Sequence, residues 1–201
     1  MNVTELLKKK LEKTVTRQQA EEAIKVLLAW AGDNPKREGL LDTPKRVIKA
    51  FEEYFSGYLI DPYKDLEKTF GDVEGYDDMV IHKNISIYSH CEHHMAPIVG
   101  VAHVAYIPHE KVVGLSKLAR VVEAYSRRLQ TQERLTMEIA NTIFKGLKAQ
   151  GAAVSVDAVH HCMTSRGIKK HEATTVTNYF TGVFKESHNL QNRFLHYIGQ
   201  D

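Results

Sequence analysis

The chain has 201 residues, of which 43% are hydrophobic and 26% are charged. These fractions are close to globular averages and exclude a disordered, collagen-like or coiled-coil chain. Its 27 lysines and arginines against 25 aspartates and glutamates leave a formal net charge of +2, too balanced for a protein that coats nucleic acid through counterion release. We therefore expect no nucleic-acid partner, and an anionic ligand would need a local basic cluster.

The first residues carry lysines but no apolar segment of the kind that signal peptides contain. No apolar run approaches the roughly 18 residues of a membrane span. We therefore predict a cytoplasmic protein without membrane contact.

Helical periodicity dominates the first sixty residues. Thr16 and Gln19 have the spacing of a capping box ahead of a periodic apolar set. After a loop, Thr43 and Pro44 supply an N-cap and an N1 proline for a second helix that ends near Gly57. Residues 62–78 are rich in acids and have little periodicity, so we predict a loop there.

From Met79 the apolar residues recur at every second position, which predicts two strands. Helical spacing returns over residues 115–129 and 132–150, and Gly151 has the place of a C-terminal glycine. Residues 152–162 and 174–184 are again predicted strands, and a short final helix begins at residue 187.

The order strand, strand, helix, helix, strand, strand is typical of an α+β protein whose antiparallel sheet carries helices on one face. We predict an antiparallel four-stranded sheet with two helices inserted between the strand pairs, in a main domain over residues 61–201. A helical extension over residues 1–60 precedes it.

Five of the 11 histidines lie within three residues of one of the two cysteines. Thiols and imidazoles are the ligands that zinc prefers, and such clusters in a cytosolic chain indicate metal binding or catalysis before a disulfide. In the first cluster, Cys91 and His94 have the C-x-x-H spacing that can close on one ion. This short motif alone fits a buried cysteine with exposed histidines equally well.

The second cluster, His160-His161-Cys162, follows 71 residues after the first thiol. Because side chains alternate across a strand, we predict that His160 and Cys162 share a face while His161 points away. Cys91, His94 and Cys162 would then give three ligands and leave one tetrahedral position for water, as catalytic zinc sites do. A closed structural site would take His93 or His160 as its fourth ligand, and both alternatives stay open.

Water on such a metal has its pKa lowered towards about 7, and a free imidazole nearby can move protons, which suits hydrolysis. The anionic end of a substrate would need basic groups. The sequence has three sets of basic residues, and each set alone is explained as a solvated helix face. If the three sets converged in the folded protein, they would suit a phosphate chain. Glu133, at the start of a helix, is explained by its position alone as a first-turn acid. The basic sets and the serine beside them are Arg46 with Lys49, Ser116 with Lys117 and Arg120, and Arg166.

Several longer motifs resemble those of the GTP cyclohydrolase I family, in that family's order. They are CEHH at 91–94, GLSKLAR at 114–120, RRLQTQERLT at 127–136, HHCMTSRG at 160–167, REGLLDTPKRV at 37–47 and FSGY at 55–58. The resemblance covers about residues 17–185, and several motifs in one order make it specific.

The resemblance implies a zinc-dependent hydrolase of the tunnelling fold, with residues 61–201 as the catalytic domain. Such an enzyme converts GTP to formate and 7,8-dihydroneopterin triphosphate with a zinc-activated water, the first step of tetrahydrofolate and pterin biosynthesis in one-carbon metabolism. It implies that Cys91, His94 and Cys162 hold Zn²⁺. His160 is the expected proton donor and acceptor at the purine N7, and His93 is expected to assist next to the metal.

By the same resemblance, Gln132 and Glu133 are expected to bind guanine, since a carboxylate suits the adjacent N1–H and NH₂ donors. The family is a homodecamer with active sites between subunits, which would bring dispersed basic segments to one ligand. Ser116 is also expected to be catalytic. The positions that match the family's triphosphate contacts are Arg46, Lys49, Ser116, Lys117, Arg120 and Arg166.

Two other functions stay open at this point. One is a zinc-dependent nucleotide deaminase with Glu92 as its general base, although the Pro-Cys-x-x-Cys pair of that class is missing. The other is a zinc-stabilised nucleotide-binding or regulatory module without turnover.

Overall fold

The computed structural model of the chain describes residues 15–71 and 76–200, apart from the side chain of Phe70. The chain divides into two compact units, with the boundary between Leu59 and Ile60. The roles assigned above to residues 1–60 and 61–201 stay predictions.

The first unit is helical. Its predicted capping box is confirmed, since Gln19 N donates to Thr16 Oγ1 at 3.2 Å and Thr16 N donates to Gln19 Oε1 at 2.8 Å. The second helix begins one residue earlier than expected, because Asp42 and not Thr43 is its N-cap. Pro44 therefore lies in the first turn, where a missing N–H costs no helical hydrogen bond. The described helical segments of this unit are α1 Arg17–Trp30, the 3₁₀ turn Glu38–Leu40, α2 Thr43–Tyr54 and the 3₁₀ turn Ser56–Leu59.

The second unit mixes helices and strands. In chain order its described elements are α3 Pro62–Leu66, β1 Thr69–Phe70, β2 Val80–Cys91, β3 Pro97–Ile107, β4 Val112–Val113, α4 Leu115–Ser126, β5 Leu129–Gln130, α5 Gln132–Leu147, β6 Gly151–His160, α6 His161–Thr164, β7 Thr175–Gly182, α7 Val183–Glu186 and α8 His188–Ile198. The α+β class is confirmed. Among the described residues, none of the helices has the length and apolar composition of a transmembrane span.

The main sheet has five strands in the order β5-β2-β3-β6-β7. Neighbours among β2, β3, β6 and β7 pair antiparallel, whereas β5 pairs parallel to β2. The prediction of a purely antiparallel four-stranded sheet is therefore corrected to a mixed five-stranded one, with a separate pair formed by β1 and β4. Two-residue strands such as β5 contain too few positions for a period of two to show in the sequence.

Three strands end at the same end of the sheet, which we call the site end. Since β2 and β6 are both antiparallel to β3, they run in the same direction, and β5 runs with them. The register places Pro97 beside His90, and Ile98 beside His160. Chain segments that follow β2, β5 and β6 therefore emerge close together.

Helices α4 and α5 bury one face of the sheet. Val121 and Ile139, from these helices, join Ile87, Val104 and Val154, from the sheet, in one buried apolar cluster. Full burial of each such side chain stabilises the fold by about 1.5–3 kcal/mol. This cluster is the main core of the second unit.

The opposite face is also partly covered, so the expectation of helices on one face only is wrong. Ala105 and Ala153 point away from the main core and pack with Phe184 of α7 and Phe194 of α8. The two phenylalanine rings meet edge to face, with centroids 6.4 Å apart. This second cluster depends on residues distant in sequence, which local periodicity does not reveal.

The segment predicted as a loop over residues 62–78 contains α3 and β1, while residues 72–75 lie outside the described residues. The start of α3 has ordinary helix signals, since Pro62 takes the first turn and Asp61 Oδ1 accepts from Tyr63 N at 3.1 Å. Leu66 at its end is buried in the main core.

Four other predicted element ends shift. Lys148, in a left-handed conformation with φ of 49°, caps α5. Gly151 instead begins β6, where a Cβ would lie 2.7 Å from Thr181 O. The predicted helix 115–129 ends at Ser126 and the predicted strand 174–184 at Gly182, while β6 ends at His160 instead of continuing to 162.

We expect Gly100→Ala to destabilise the second unit by about 3 kcal/mol, because an added methyl overpacks the contact with the backbone of the neighbouring strand. A Cβ at Gly100 would collide with Asp157 O and lie 2.5 Å from Ala158 Cα on that strand. Gly71→Ala is the matched control, since nothing in the described part of the chain lies within 4 Å of its added Cβ. Chemical denaturation of both variants measures the difference, and equal stabilities would contradict this packing.

Candidate metal and substrate site

At the site end, three side chains with metal-binding atoms come together. The ligand atoms of Cys91, His94 and Cys162 all lie within 4.8 Å of one another. Tetrahedral zinc, with Zn–S near 2.3 Å and Zn–N near 2.0 Å, needs ligand atoms about 3.3–3.8 Å apart, so only small side-chain adjustments are required. The three residues that we predicted as ligands are thus brought together across 71 residues of sequence.

A tight turn after β2 sets the spacing of Cys91 and His94. Cys91 N donates to Ala96 O and Met95 N donates to Cys91 O, both at 2.8 Å. Met95 takes a left-handed conformation with φ of 52°, which reverses the chain. Glu92 N donates to Gln130 O at 3.1 Å and ties the turn to β5.

Cys162 reaches the site by a different route from the one we predicted. The strand geometry that placed it on one face with His160 does not apply, because the chain turns into helix α6 at His161. Burial raises the pKa of the Cys162 thiol, and hydrogen bonding to Cys91 raises it further. Metal ions bind the thiolate form, so a cation between the two sulfurs would offset that cost.

His93 and His160 are close in sequence to the residues of this group. His93 is exposed, and its Nδ1 lies 3.7 Å from Cys91 Sγ. Within the described residues, the group of mutually close metal-binding atoms includes neither histidine. This favours the open, three-ligand alternative over a closed site with four protein ligands.

Gln132 fixes the protonation pattern of His160. Its side chain is 1% exposed, and its Nε2 donates to Val156 O at 3.0 Å and to Thr175 O at 2.7 Å. An amide nitrogen that faces two carbonyls leaves Oε1 as the acceptor, which lies 2.7 Å from His160 Nε2. His160 therefore carries its proton on Nε2, and Nδ1 is its basic nitrogen.

Burial lowers the pKa of His160, and the nearby Glu133 carboxylate acts in the opposite direction. Glu133 itself is exposed in the first turn of α5. The predicted guanine contact of Gln132 stays a prediction, and its side-chain amide is already engaged within the chain.

The basic residues of the second unit that we predicted as triphosphate contacts lie on α4 and in the segment after α6. Lys117 Nζ and Arg120 NH1, from α4, are each 3.3 Å from Asp65 Oδ1. Arg166 NH1 donates to His94 Nε2 at 3.0 Å, so this arginine adjoins the metal ligands. Ser116 is exposed in the first turn of α4.

Arg46 and Lys49 belong to the first unit, where both are exposed on α2. Arg46 pairs with Asp42, with 3.3 Å between NH2 and Oδ2. Their assignment as triphosphate contacts stays a prediction.

A polar network behind the turn that carries His94 was not predicted from the sequence. Gln130, fully buried, donates from Nε2 to Glu138 Oε2 at 2.9 Å and to Tyr125 O at 3.2 Å. Arg134 lies 3.5 Å from carboxylate oxygens of both Glu138 and Glu92. The i,i+4 spacing of Arg134 and Glu138 was the available signal. Because Glu92 is paired with Arg134, this network disfavours the deaminase alternative that needs Glu92 as a free base.

The GTP cyclohydrolase I family model matches residues 20–199. The chain belongs to the GTP cyclohydrolase I family. It is 67% identical to GTP cyclohydrolase 1 of Pelagibacter ubique over 94% of this chain and 93% of the relative, and 57% identical to that of Maricaulis maris over 90% and 88%. The predicted family is therefore confirmed, as is the prediction that this chain is an enzyme.

A further relative, GTP cyclohydrolase 1 of Sinorhizobium fredii, is 56% identical over 90% of this chain and 88% of its own length. An archaeosine synthase QueF-Like in the apo form superimposes on 52% of this chain and 93% of its own, with a TM-score of 0.43 and 17% identity. The family assignment does not rest on that weaker likeness.

We expect Cys162→Ala to abolish stoichiometric metal binding, because two remaining ligands hold an ion far less tightly than three. His161→Ala, which changes the neighbouring residue outside the ligand group, is the matched control and should keep its metal. Elemental analysis of both purified variants measures the metal content. Stoichiometric metal in Cys162→Ala would contradict the assigned site.

Proposed function

We propose that this site hydrolyses GTP to formate and 7,8-dihydroneopterin triphosphate, the entry reaction of tetrahydrofolate and pterin biosynthesis. The observation that carries the proposal is the meeting of the Cys91, His94 and Cys162 ligand atoms within 4.8 Å, beside a histidine of fixed tautomer. Family membership supplies the substrate.

We propose Zn²⁺ as the metal, because two thiols and an imidazole are a donor set that zinc prefers. When bound by Cys91, His94 and Cys162, it supplies Lewis-acid activation of water for attack on the purine imidazole ring. Cys91 is buried and Cys162 is half-buried, whereas His94 is exposed, so solvent can reach this group from the side of His94.

His160 is proposed to move the proton at the purine N7. Gln132 accepts the Nε2 proton of His160, so Nδ1 is available to take up and return a proton. Since burial lowers the pKa of His160, the imidazole is neutral near pH 7 and starts as a base. His93, 3.7 Å from Cys91 Sγ, assists next to the ligands.

The guanine is proposed to lie against the first turn of α5. There the Glu133 carboxylate accepts hydrogen bonds from N1–H and from the exocyclic amino group, while Gln132 contributes by holding His160. An analogue without the amino group would leave one carboxylate oxygen unpaired.

The triphosphate is proposed to bind cationic and hydroxyl groups from several segments. Ser116, Lys117 and Arg120 lie in the first two turns of α4, where the helix dipole favours anions. Arg166 follows α6, and Arg46 and Lys49 come from the first unit. A homodecamer with active sites between subunits would bring such segments to one ligand, and we propose that assembly, the tunnelling fold and a cytoplasmic location.

The direct test is incubation of the metal-loaded protein with GTP. We expect equimolar formate and, after oxidation, a fluorescent pterin that retains the triphosphate. Absence of both products would contradict the proposal. Release of ammonia without formate would instead favour a deaminase.

His160→Ala should keep metal and fold but lower kcat by about 10²–10⁴-fold, the usual contribution of a general acid–base. His109→Ala, an exposed histidine outside the site, is the control and should keep full activity. Metal content, thermal melting and formate release distinguish this from a zinc-stabilised module without turnover. That alternative predicts loss of metal or fold in His160→Ala.

A further inference from the structure

Asp65 forms ion pairs with Lys117 and Arg120, the two cationic residues of α4 that are proposed to bind phosphate. Its Oδ1 lies 3.3 Å from Lys117 Nζ and 3.3 Å from Arg120 NH1. The side chains of Asp65 and Lys117 are each 19% exposed, whereas that of Arg120 is 59% exposed. One carboxylate oxygen therefore pairs with both cations in a partly desolvated position, where charges interact more strongly than at an open surface.

The backbone that carries this carboxylate is anchored in the core. Asp65 lies on the five-residue helix α3, between Pro62 and Leu66, which are both buried. Leu66 packs tightly against α5, since a Cβ on Gly146 would approach Leu66 Cδ1 to 2.5 Å. At the start of this segment, Arg128 NH2 donates to Ile60 O at 3.3 Å. Movement of the Asp65 backbone away from α4 would require this helix to leave the core, so the carboxylate can leave the two cations only by rotation of its own side chain.

We propose that Asp65 is a built-in anion that shares Lys117 and Arg120 with the ligand and so lowers the affinity of the site for triphosphate. The inference rests on the proposed function. Two cations and one carboxylate leave a single net positive charge in this group, and a bound triphosphate is repelled by the carboxylate that remains. Because substrate and product carry the same triphosphate, Asp65 weakens the binding of both.

Such an effect acts on uniform binding, which changes KM without stabilising the transition state. Tight binding of the triphosphate, which the reaction leaves unchanged, would slow release of the product. Asp65 is therefore a positioning residue that acts through Lys117 and Arg120, and it limits product retention. The alternative role for the same contacts is preorganisation, in which Asp65 holds the two cations ready for phosphate. The two roles predict opposite signs for its removal.

The test is calorimetric titration of metal-loaded Asp65→Asn with inorganic triphosphate. Asparagine keeps the shape and one acceptor oxygen but removes the charge, so we expect binding about three- to tenfold tighter than in the parent protein. Affinity should also depend more steeply on salt, because the group has gained one net positive charge. Asp78→Asn is the matched control. It removes an equal charge from another arginine-paired carboxylate, 2.9 Å from Arg193 NH2, and should leave triphosphate affinity unchanged.

With GTP as substrate, Asp65→Asn should lower KM by a similar factor while kcat stays equal or falls, and the triphosphate product should inhibit more strongly. Structural damage would weaken binding, so a gain in affinity separates the two explanations. Equal or weaker triphosphate binding by Asp65→Asn overturns the inference, as does a parent protein that binds no triphosphate. Absence of formate from the parent protein would instead overturn the proposed function, and the calorimetric comparison decides the role of Asp65 independently.

Discussion

The site depends on the direction in which three strands run. Because β2 and β6 are both antiparallel to β3, they run the same way and end at the same end of the sheet. Their axes are separated by two strand spacings, about 10 Å, which a turn after each strand can bridge. The turn that carries His94 and the short helix α6 that carries Cys162 close this gap around one point. Sheet topology thus brings the two cysteines of the chain into one group that could hold a metal ion.

The same topology brings Gln132 and His160 together at the site end. Strand β5 runs with β2, so α5 begins at the site end and presents Gln132 next to His160. Gln132 is buried because its amide satisfies two main-chain carbonyls of the sheet, and its remaining oxygen determines which imidazole nitrogen of His160 is basic. The Gln132 side chain thus both satisfies the backbone of the sheet and orients the imidazole of His160. Asp65 of α3 contacts both Lys117 and Arg120 of α4, and we propose that it limits the positive charge these two residues present to a ligand.

The sequence predicted those parts whose signals are local. The period of two in β2 and β3, the helical spacing in α4 and α5 and the Thr16–Gln19 capping box were all readable, and the C-x-x-H motif indicated Cys91 and His94. Pairing over long sequence distances was not readable. Strand β5 is two residues long, and the packing of Phe184 and Phe194 on the second face brings together segments far apart in the chain. Extrapolating strand alternation through residue 162 failed because the chain becomes helical at His161. Asp65 lay in an acid-rich segment that showed no periodicity, and its contacts with α4 span more than fifty residues.

We propose that Cys91, His94 and Cys162 hold one metal ion and leave one coordination position open. X-ray absorption at the zinc edge of the purified, metal-loaded protein is the decisive measurement, because it counts ligands by element and distance. Coordination by these three residues predicts two sulfur atoms at about 2.3 Å and two nitrogen or oxygen atoms at about 2.0–2.1 Å, one of them exchangeable with an added small ligand. A shell with no sulfur or a single sulfur, or a fourth ligand that does not exchange, would contradict it.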